Sequence, residues 1–378
     1  MALNYIWIAF FLVAFLIAFF QLLIHGDTEI FKRLVESTFT SSRTAFELSL
    51  GLTGAMAMWL GIMKIGERAG IVKVLTFVFG PFFKRLFPEI PSNHPAITPI
   101  FMKLSANLLG LDNAGTPLGI KAMREMQTLN KNPDTASNAQ IMFAVLNTTG
   151  LTLIPVTILA YRTQLGAENP SDVFIPILLS TTVTAFTGMI FVAVMQRINL
   201  LDPIFLSYLV GILGFIGATI LYFSSIPQEQ ISEVSSVVSN FLLFFIIVFF
   251  ILLALFRRVN VYEAFIEGAK DGFDVAVKII PYLVGILVGI AVFRTAGALE
   301  LITSGMESIF EYFEVNGEFT FALPVAFLKP LSGSGSSGMM LDIMKTYGPD
   351  SFMGKLACVF QGCTDTTLFI LAVYFGSV

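Results

Sequence analysis

The sequence is poor in the residues on which soluble chemistry usually rests. In 378 residues there are 2 Cys, 2 His and 2 Trp, and only 13% of positions are charged, against about 25% in an ordinary globular domain. Cys358 and Cys363 lie five apart in an apolar run with no histidine beside them. That spacing gives little support to a disulfide framework or a zinc cluster and leaves two free thiols. His25 and His94 are distant in sequence and both fall in expected loops. There is no HExxH pair, no Gly-x-Ser-x-Gly elbow and no Gly-Lys-Ser/Thr after a glycine-rich turn, so catalysis, bound metal, cofactor and ATP use are not expected. A net charge of −4 offers no basic footprint for nucleic acid.

Apolar residues are abundant, at 56% with 39 Phe, and a surface built from them must face lipid. A transmembrane helix needs about 20 mostly apolar residues, and six windows qualify cleanly: 5–23, 45–63, 173–195, 204–223, 241–256 and 275–293. The first lacks a basic n-region and a small-residue cleavage pattern, so it is expected to stay as a helix rather than leave as a signal peptide. Residues 71–87 are apolar but carry Lys73, Lys84 and Arg85, the pattern of an amphipathic helix lying on the membrane. Residues 95–111 are apolar but too short to cross. They end in a breaker cluster around Gly110, Asn113, Gly115 and Pro117, and a polar helix with Lys121, Arg124 and Glu125 follows. This suggests a re-entrant hairpin. The next segment opens on an Asp134-Thr135 cap signal and is interrupted at Asn147-Thr148-Thr149-Gly150 and at Pro155, so a broken helix is expected. Irregular backbone at membrane depth survives only beside protein or a watery cavity. Lys and Arg concentrate in the segments 64–95, 121–134 and 257–270, whereas residues 297–320 hold five Glu and no Lys or Arg. By the positive-inside rule the N-terminus is cytoplasmic.

The second half echoes the first. Phe46-Glu47 matches Phe273-Asp274 and Ala69-Gly70 matches Ala296-Gly297, both at an offset of 227; Phe101-Met102-Lys103 matches Phe327-Leu328-Lys329 at 226. A small-residue tip follows each lysine, and then a helix with a polar interruption: residues 147–150 in the first copy and 361–367 in the second. An odd number of crossings separates the copies, so they run in opposite orientation. Inverted repeats of this kind build secondary transporters, with sites near the midplane on discontinuous helices. The expected fold is therefore an all-α integral membrane protein of two inverted repeats, with re-entrant hairpins and broken transmembrane helices.

Within the membrane the scarce charge is concentrated. Lysine at a helix centre costs on the order of 2.5–3.5 kcal/mol on insertion scales. Lys103 and Lys329, at matching places, either present charge to one cavity or pair with a carboxylate such as Asp112 or Asp365. Lys278 follows Asp274 by four residues, where an i,i+4 ion pair is natural. Residues 332–338 have the composition of a backbone anion nest. The candidate solute-binding set is Lys103, Lys329, Asn107, Asn113, Thr116, Asn147, Thr148, Thr149, Ser332, Ser334, Ser336, Gln361, Thr364, Asp365 and Thr366, placed between the two hairpins near the midplane. Asp365 alone among the polar residues on the broken helices changes charge; it is either a proton or cation relay or the counter-ion of Lys329.

At residues 107–123, NLLGLDNAGTPLGIKAM, and 329–340, KPLSGSGSSGMM, the chain resembles the bacterial spore maturation proteins A and B joined into one polypeptide. The A-like half covers residues 1–200 and the B-like half 201–378. Both belong to the group sharing the nucleoside-recognition or Gate domain, which is also found in concentrative nucleoside transporters and in the membrane part of ferrous-iron transport GTPases. The resemblance implies a multi-pass protein of the bacterial inner membrane with a transporter-like core. The acidic residues that bind the sugar in nucleoside transporters have no motif match here. Expected partners are a small-molecule solute, the lipid bilayer and, as one option, further copies of the chain; nucleic acid is not among them. Residues and resemblance together suggest a secondary transporter, an exporter being one form, of a small polar solute bearing a carboxylate, such as an amino acid. A membrane scaffold in envelope or spore maturation and a nucleoside transporter remain as alternatives.

Overall fold

A computed structural model describes residues 2–91, 93–108, 112–225, 228–314 and 316–378; side chains are described for all of these except 2, 112–116, 220, 223, 224, 228–232, 235 and 311. Among the described residues there is no strand. The order is α1 (Ala2–His25), α2 (Ile30–Arg68), α3 (Ile71–Leu86), α4 (Ile97–Leu108), α5 (Asp112–Gln127), α6 (Asn138–Thr148), α7 (Val156–Gln164), α8 (Phe174–Met195), α9 (Pro203–Ser224), α10 (Gln228–Phe256), α11 (Val261–Thr295) and α12 (Ala298–Tyr312). A 3-10 turn at Gly317–Ala322 then leads into α13 (Leu323–Leu328), α14 (Gly333–Tyr347), α15 (Phe352–Gly362) and α16 (Thr367–Phe375).

The protein is an all-α integral membrane protein. Among the described residues six segments are long and apolar enough to cross a bilayer: Leu3–His25, Ile30–Arg68, Phe174–Met195, Ser236–Phe256, Val261–Thr295 and Phe352–Phe375. The last is interrupted by a non-helical stretch between α15 and α16. The expected short helix, polar helix and broken helix of the first copy are α4, α5 and the pair α6 and α7. α4 and α5 pack against each other as a hairpin whose tip, residues 109–111, lies outside the described residues.

Local chemistry differs from expectation at three places. Ser137, not Asp134-Thr135, caps α6: its side chain accepts from the Gln140 N–H while the Gln140 side chain accepts from the Ser137 N–H, a reciprocal capping box. Residues 333–338 are not an open nest but the first turns of α14. Ser332 caps them, taking the Gly335 N–H at 2.9 Å, because a helix start satisfies those amides more fully than a loop would. Lys278 and Asp274 are both exposed on α11, and among the described residues no ion pair joins them.

The repeat is visible in backbone conformation. Gly70 between α2 and α3 has φ +84°, and Gly297 between α11 and α12 has φ +83°, a left-handed turn that a residue with a Cβ enters only at a cost.

The chain forms two compact units, each assembled from three segments. One contains Met1–Trp59, Thr157–Pro170 and Ala269–Gln361; the other contains Leu60–Val156, Ser171–Gly268 and Gly362–Val378. This partition differs from the two homologous halves, because each broken helix is divided at its break. In the first unit α1 packs on α11 through Ala14, Ala18, Val292 and Ala296, with the Trp7 indole donating to the Gly285 carbonyl at 2.8 Å. The second unit has an aromatic core that includes Phe82, Phe83, Phe101, Phe143, Phe186, Phe205 and Tyr374. Here α2 and α11 approach so closely that a Cβ at Gly268 would run into the Leu60 carbonyl oxygen.

Asp202 caps α9, accepting from Ile204 and Phe205 N–H groups at 3.0 and 3.2 Å, and Arg85 of α3 lies 3.3 Å away. Those amides, with the guanidinium, hold its pKa below the usual carboxylate range. A depressed folded-state pKa stabilises at neutral pH and ceases to do so as pH falls through it. Between about pH 4, the unfolded value, and lower pH, the wild type should therefore lose more of its unfolding midpoint than Asp202→Asn, as followed by thermal melts in detergent. Gly268→Leu should destabilise by about 1–3 kcal/mol through overpacking, whereas Gly214→Ala, where a Cβ meets open space, should leave the melt unchanged.

Candidate functional site

Within the Leu60–Val156 unit a buried polar chain runs from the hairpin to the break in α6. Lys103 sits inside α4 and is only 4% exposed, and its ammonium donates to the Asn107 Oδ1 one turn later. The i,i+4 spacing puts the two on one helix face. The Asn107 amide donates to Asn147 Oδ1 at 3.0 Å; Tyr374 of α16 donates its hydroxyl to the same oxygen at 3.4 Å. Asn147 donates in turn to the Phe143 carbonyl at 2.6 Å. Asn147 is fully buried, and a buried polar group persists only when its bonds are made. Beside Asn107 lies a void of about 50 Å³ walled mainly by Leu104, Leu146, Phe186 and Met189, room for one or two waters, each taking roughly 30 Å³.

The break itself is held by the other copy's interruption. Asp365 donates its N–H to the Thr148 carbonyl at 2.8 Å, one of the acceptors left open where α6 stops. Gly150, at φ +56°, brings its backbone so close that a Cβ would stand 3.0 Å from the Asp365 nitrogen. From α8, Thr181 donates to the Gly150 carbonyl at 3.1 Å, and the Leu153 N–H reaches the Leu108 carbonyl of α4 at 2.8 Å. The Asp365 carboxylate accepts from the Thr366 N–H at 2.6 Å. No Lys or Arg lies within ion-pair distance of Asp365 among the described residues. Thr148 and Thr149 both spend their hydroxyl protons on the Val145 carbonyl at 3.0 Å, so they offer acceptor lone pairs rather than donors.

The second cluster lies in the other unit. Lys329 closes α13 and is 9% exposed. Ser332, Ser334 and Ser336 occupy the cap and first turns of α14, with Ser332 and Ser334 hydroxyls 3.3 Å apart and Ser336 donating to the Gly333 carbonyl at 3.0 Å. From the end of α15 the Gln361 amide donates to Ser337 at 2.9 Å, while the buried Gln361 Oε1 has no partner among the described residues. By compact unit, Lys103, Asn107, Asn147, Thr148, Thr149, Thr364, Asp365 and Thr366 belong to one, and Lys329, Ser332, Ser334, Ser336 and Gln361 to the other. The side chains of Asn113 and Thr116 lie outside the described residues.

Three groups, two buried and one partly buried, are absent from the candidate set read from the sequence. Tyr374 of the last helix is 3% exposed. Arg162 is fully buried; it donates to the Pro170 and Asn169 carbonyls at 3.1 and 3.2 Å and to Asp350 at 3.0 Å. Arg294 joins Asp342 and Glu300 and lies over the Tyr347 ring at 5.8 Å. The signal available beforehand was only that each arginine ends an apolar helix.

Two stretches, residues 49–164 and 276–378, match the nucleoside recognition (Gate) family. This chain belongs to that family. The matches begin 227 residues apart and end 214 apart, the offsets that the internal repeat requires. Spore maturation protein A of Bacillus subtilis (strain 168) is 41% identical over 155 residues, covering 41% of this chain and 79% of the relative. Spore maturation protein B of the same organism is 48% identical over 122 residues, covering 32% of this chain and 67% of the relative. No solved structure matches.

A double-mutant cycle tests the polar chain. Asn107→Ala and Asn147→Ala should each cost about 1–3 kcal/mol, since each leaves a buried partner unsatisfied. Their combination should fall short of the sum by at least ~0.5 kcal/mol; additivity in detergent melts would show that the two amides do not act together.

Proposed function

We propose that this protein is a secondary transporter of the bacterial inner membrane, with a cytoplasmic N-terminus, for a small polar solute bearing a carboxylate, an amino acid being the type case. It is a multi-pass membrane protein of a transporter-like family, and the finer statement rests chiefly on one observation: a lysine buried in a short hairpin is linked through Asn107 and Asn147 to the place where α6 stops short. Broken helices and half-helix ends are the parts from which transporter sites are made. A buried ammonium adds a reason for the solute to carry negative charge. The void beside Asn107, at about 50 Å³, is too small for an amino acid, so the cluster must open to admit a solute.

A second reading, nucleoside transport, is favoured by the family's own description and by the neutral amides and hydroxyl of Asn107, Asn147 and Tyr374, which suit a base or sugar. Counterflow into proteoliposomes separates the two. Saturable exchange of a labelled amino acid, reduced about tenfold (~1.4 kcal/mol) in Lys103→Ala and in Lys329→Ala, is the expected outcome. Wild-type flux in both variants would remove the charge argument. Exchange of nucleosides alone would move the assignment to the second reading, and a folded protein with no saturable flux of either class would make it a scaffold.

A further inference from the structure

The Leu60–Val156 unit contains a second, larger cavity away from the polar chain. It measures about 580 Å³ and is lined by α3, α4 and α5, with Lys73, Phe77, Thr98, Phe101, Met102 and Leu118 among its walls. That volume lies within the roughly 300–1,000 Å³ typical of small-molecule sites. Most of the lining is apolar, and its charged members, Glu67 and Lys73, flank the Gly70 turn.

The charges at that turn are unequal. Glu67 is taken by Lys64 at 3.1 Å, and Lys64 and Arg68 share Glu267. Lys73 is exposed and has no carboxylate within ion-pair distance among the described residues. Three cations therefore meet two carboxylates, and the surplus sits on the cavity wall. Phe77, one turn along α3, is 84% exposed, an aromatic ring with almost no protein cover at the same opening. α12, which follows the equivalent Gly297 turn, carries Glu300 and Glu307 and no Lys or Arg. The basic character of α3 is thus peculiar to this copy. Basic amphipathic helices at a bilayer interface attract anionic lipid.

We propose that this cavity takes one acyl chain of an anionic phospholipid, with the headgroup phosphate at Lys73. The chain lies along Phe101, Met102 and Leu118 and is covered at its mouth by Phe77. Phe101 and Met102 precede Lys103 on α4, so the lipid bears on the helix that carries the buried ammonium. The site is independent of which solute the protein moves.

The test uses the full chain in neutral detergent, with lipid binding read by native mass spectrometry and by thermal shift. Phosphatidylglycerol should bind about fivefold tighter than phosphatidylcholine, as expected of one surface lysine, and inorganic phosphate alone should give no shift. Lys73→Gln should abolish that preference. Thr98→Trp, which fills the cavity from an exposed position, should weaken both lipids at least fivefold while leaving the lipid-free melt within a degree or two. Equal binding of the two lipids, unchanged phosphatidylglycerol binding in Thr98→Trp, or a shift reproduced by inorganic phosphate would each overturn the proposal.

Discussion

Peptide groups cannot be left open in hydrocarbon, where each unsatisfied N–H or C=O costs several kcal/mol, and this chain stops two of its helices part-way. That constraint explains how the second unit is built. Where α6 ends, its Thr148 carbonyl takes the Asp365 N–H from the interruption between α15 and α16. The Gly150 carbonyl takes the Thr181 hydroxyl of α8, and Leu153 closes onto α4. One copy's broken helix is thus completed by the other copy's interruption. An isolated first half of this sequence would leave the Thr148 carbonyl without the Asp365 N–H, a physical reason for the compact units to draw segments from both copies.

The same accounting governs charge. With few charged residues, most at helix ends, three cations drawn wholly or partly inside are held by oxygens. Lys103 is held by Asn107, Arg162 by two loop carbonyls and Asp350, and Arg294 by Asp342 and Glu300. The arginines bind planar, multi-point frames of carbonyl and carboxylate, which suits a structural clasp. The lysine instead donates to the neutral Asn107 amide, which is joined in turn to Asn147.

The family match and the two relatives tie this architecture to membrane proteins named for spore maturation and to a domain described for nucleoside recognition. One fold hosts many functions, so the family alone does not fix a ligand. Among the buried polar groups are an ammonium, two amides and a phenol in one unit, and serines with a glutamine in the other.

Hydropathy, breaker residues and the 227-residue repeat were enough to read five of the six apolar spans found among the described residues, the hairpins and the interruptions, because each depends on local composition and on the length a bilayer demands. The window 204–223 is met there by a shorter apolar stretch, Pro203–Thr219, and Phe352–Phe375, interrupted in the middle, is the sixth span. They also located Lys103, Asn107, Asn147 and Asp365, since a polar residue in an apolar run stands out by itself. Two things depended on contacts between residues tens to hundreds of positions apart: Tyr374 shares Asn147 with Asn107, and Asp365 closes the end of α6. A sequence records which groups need partners; which partner each one finds depends on how distant helices pack.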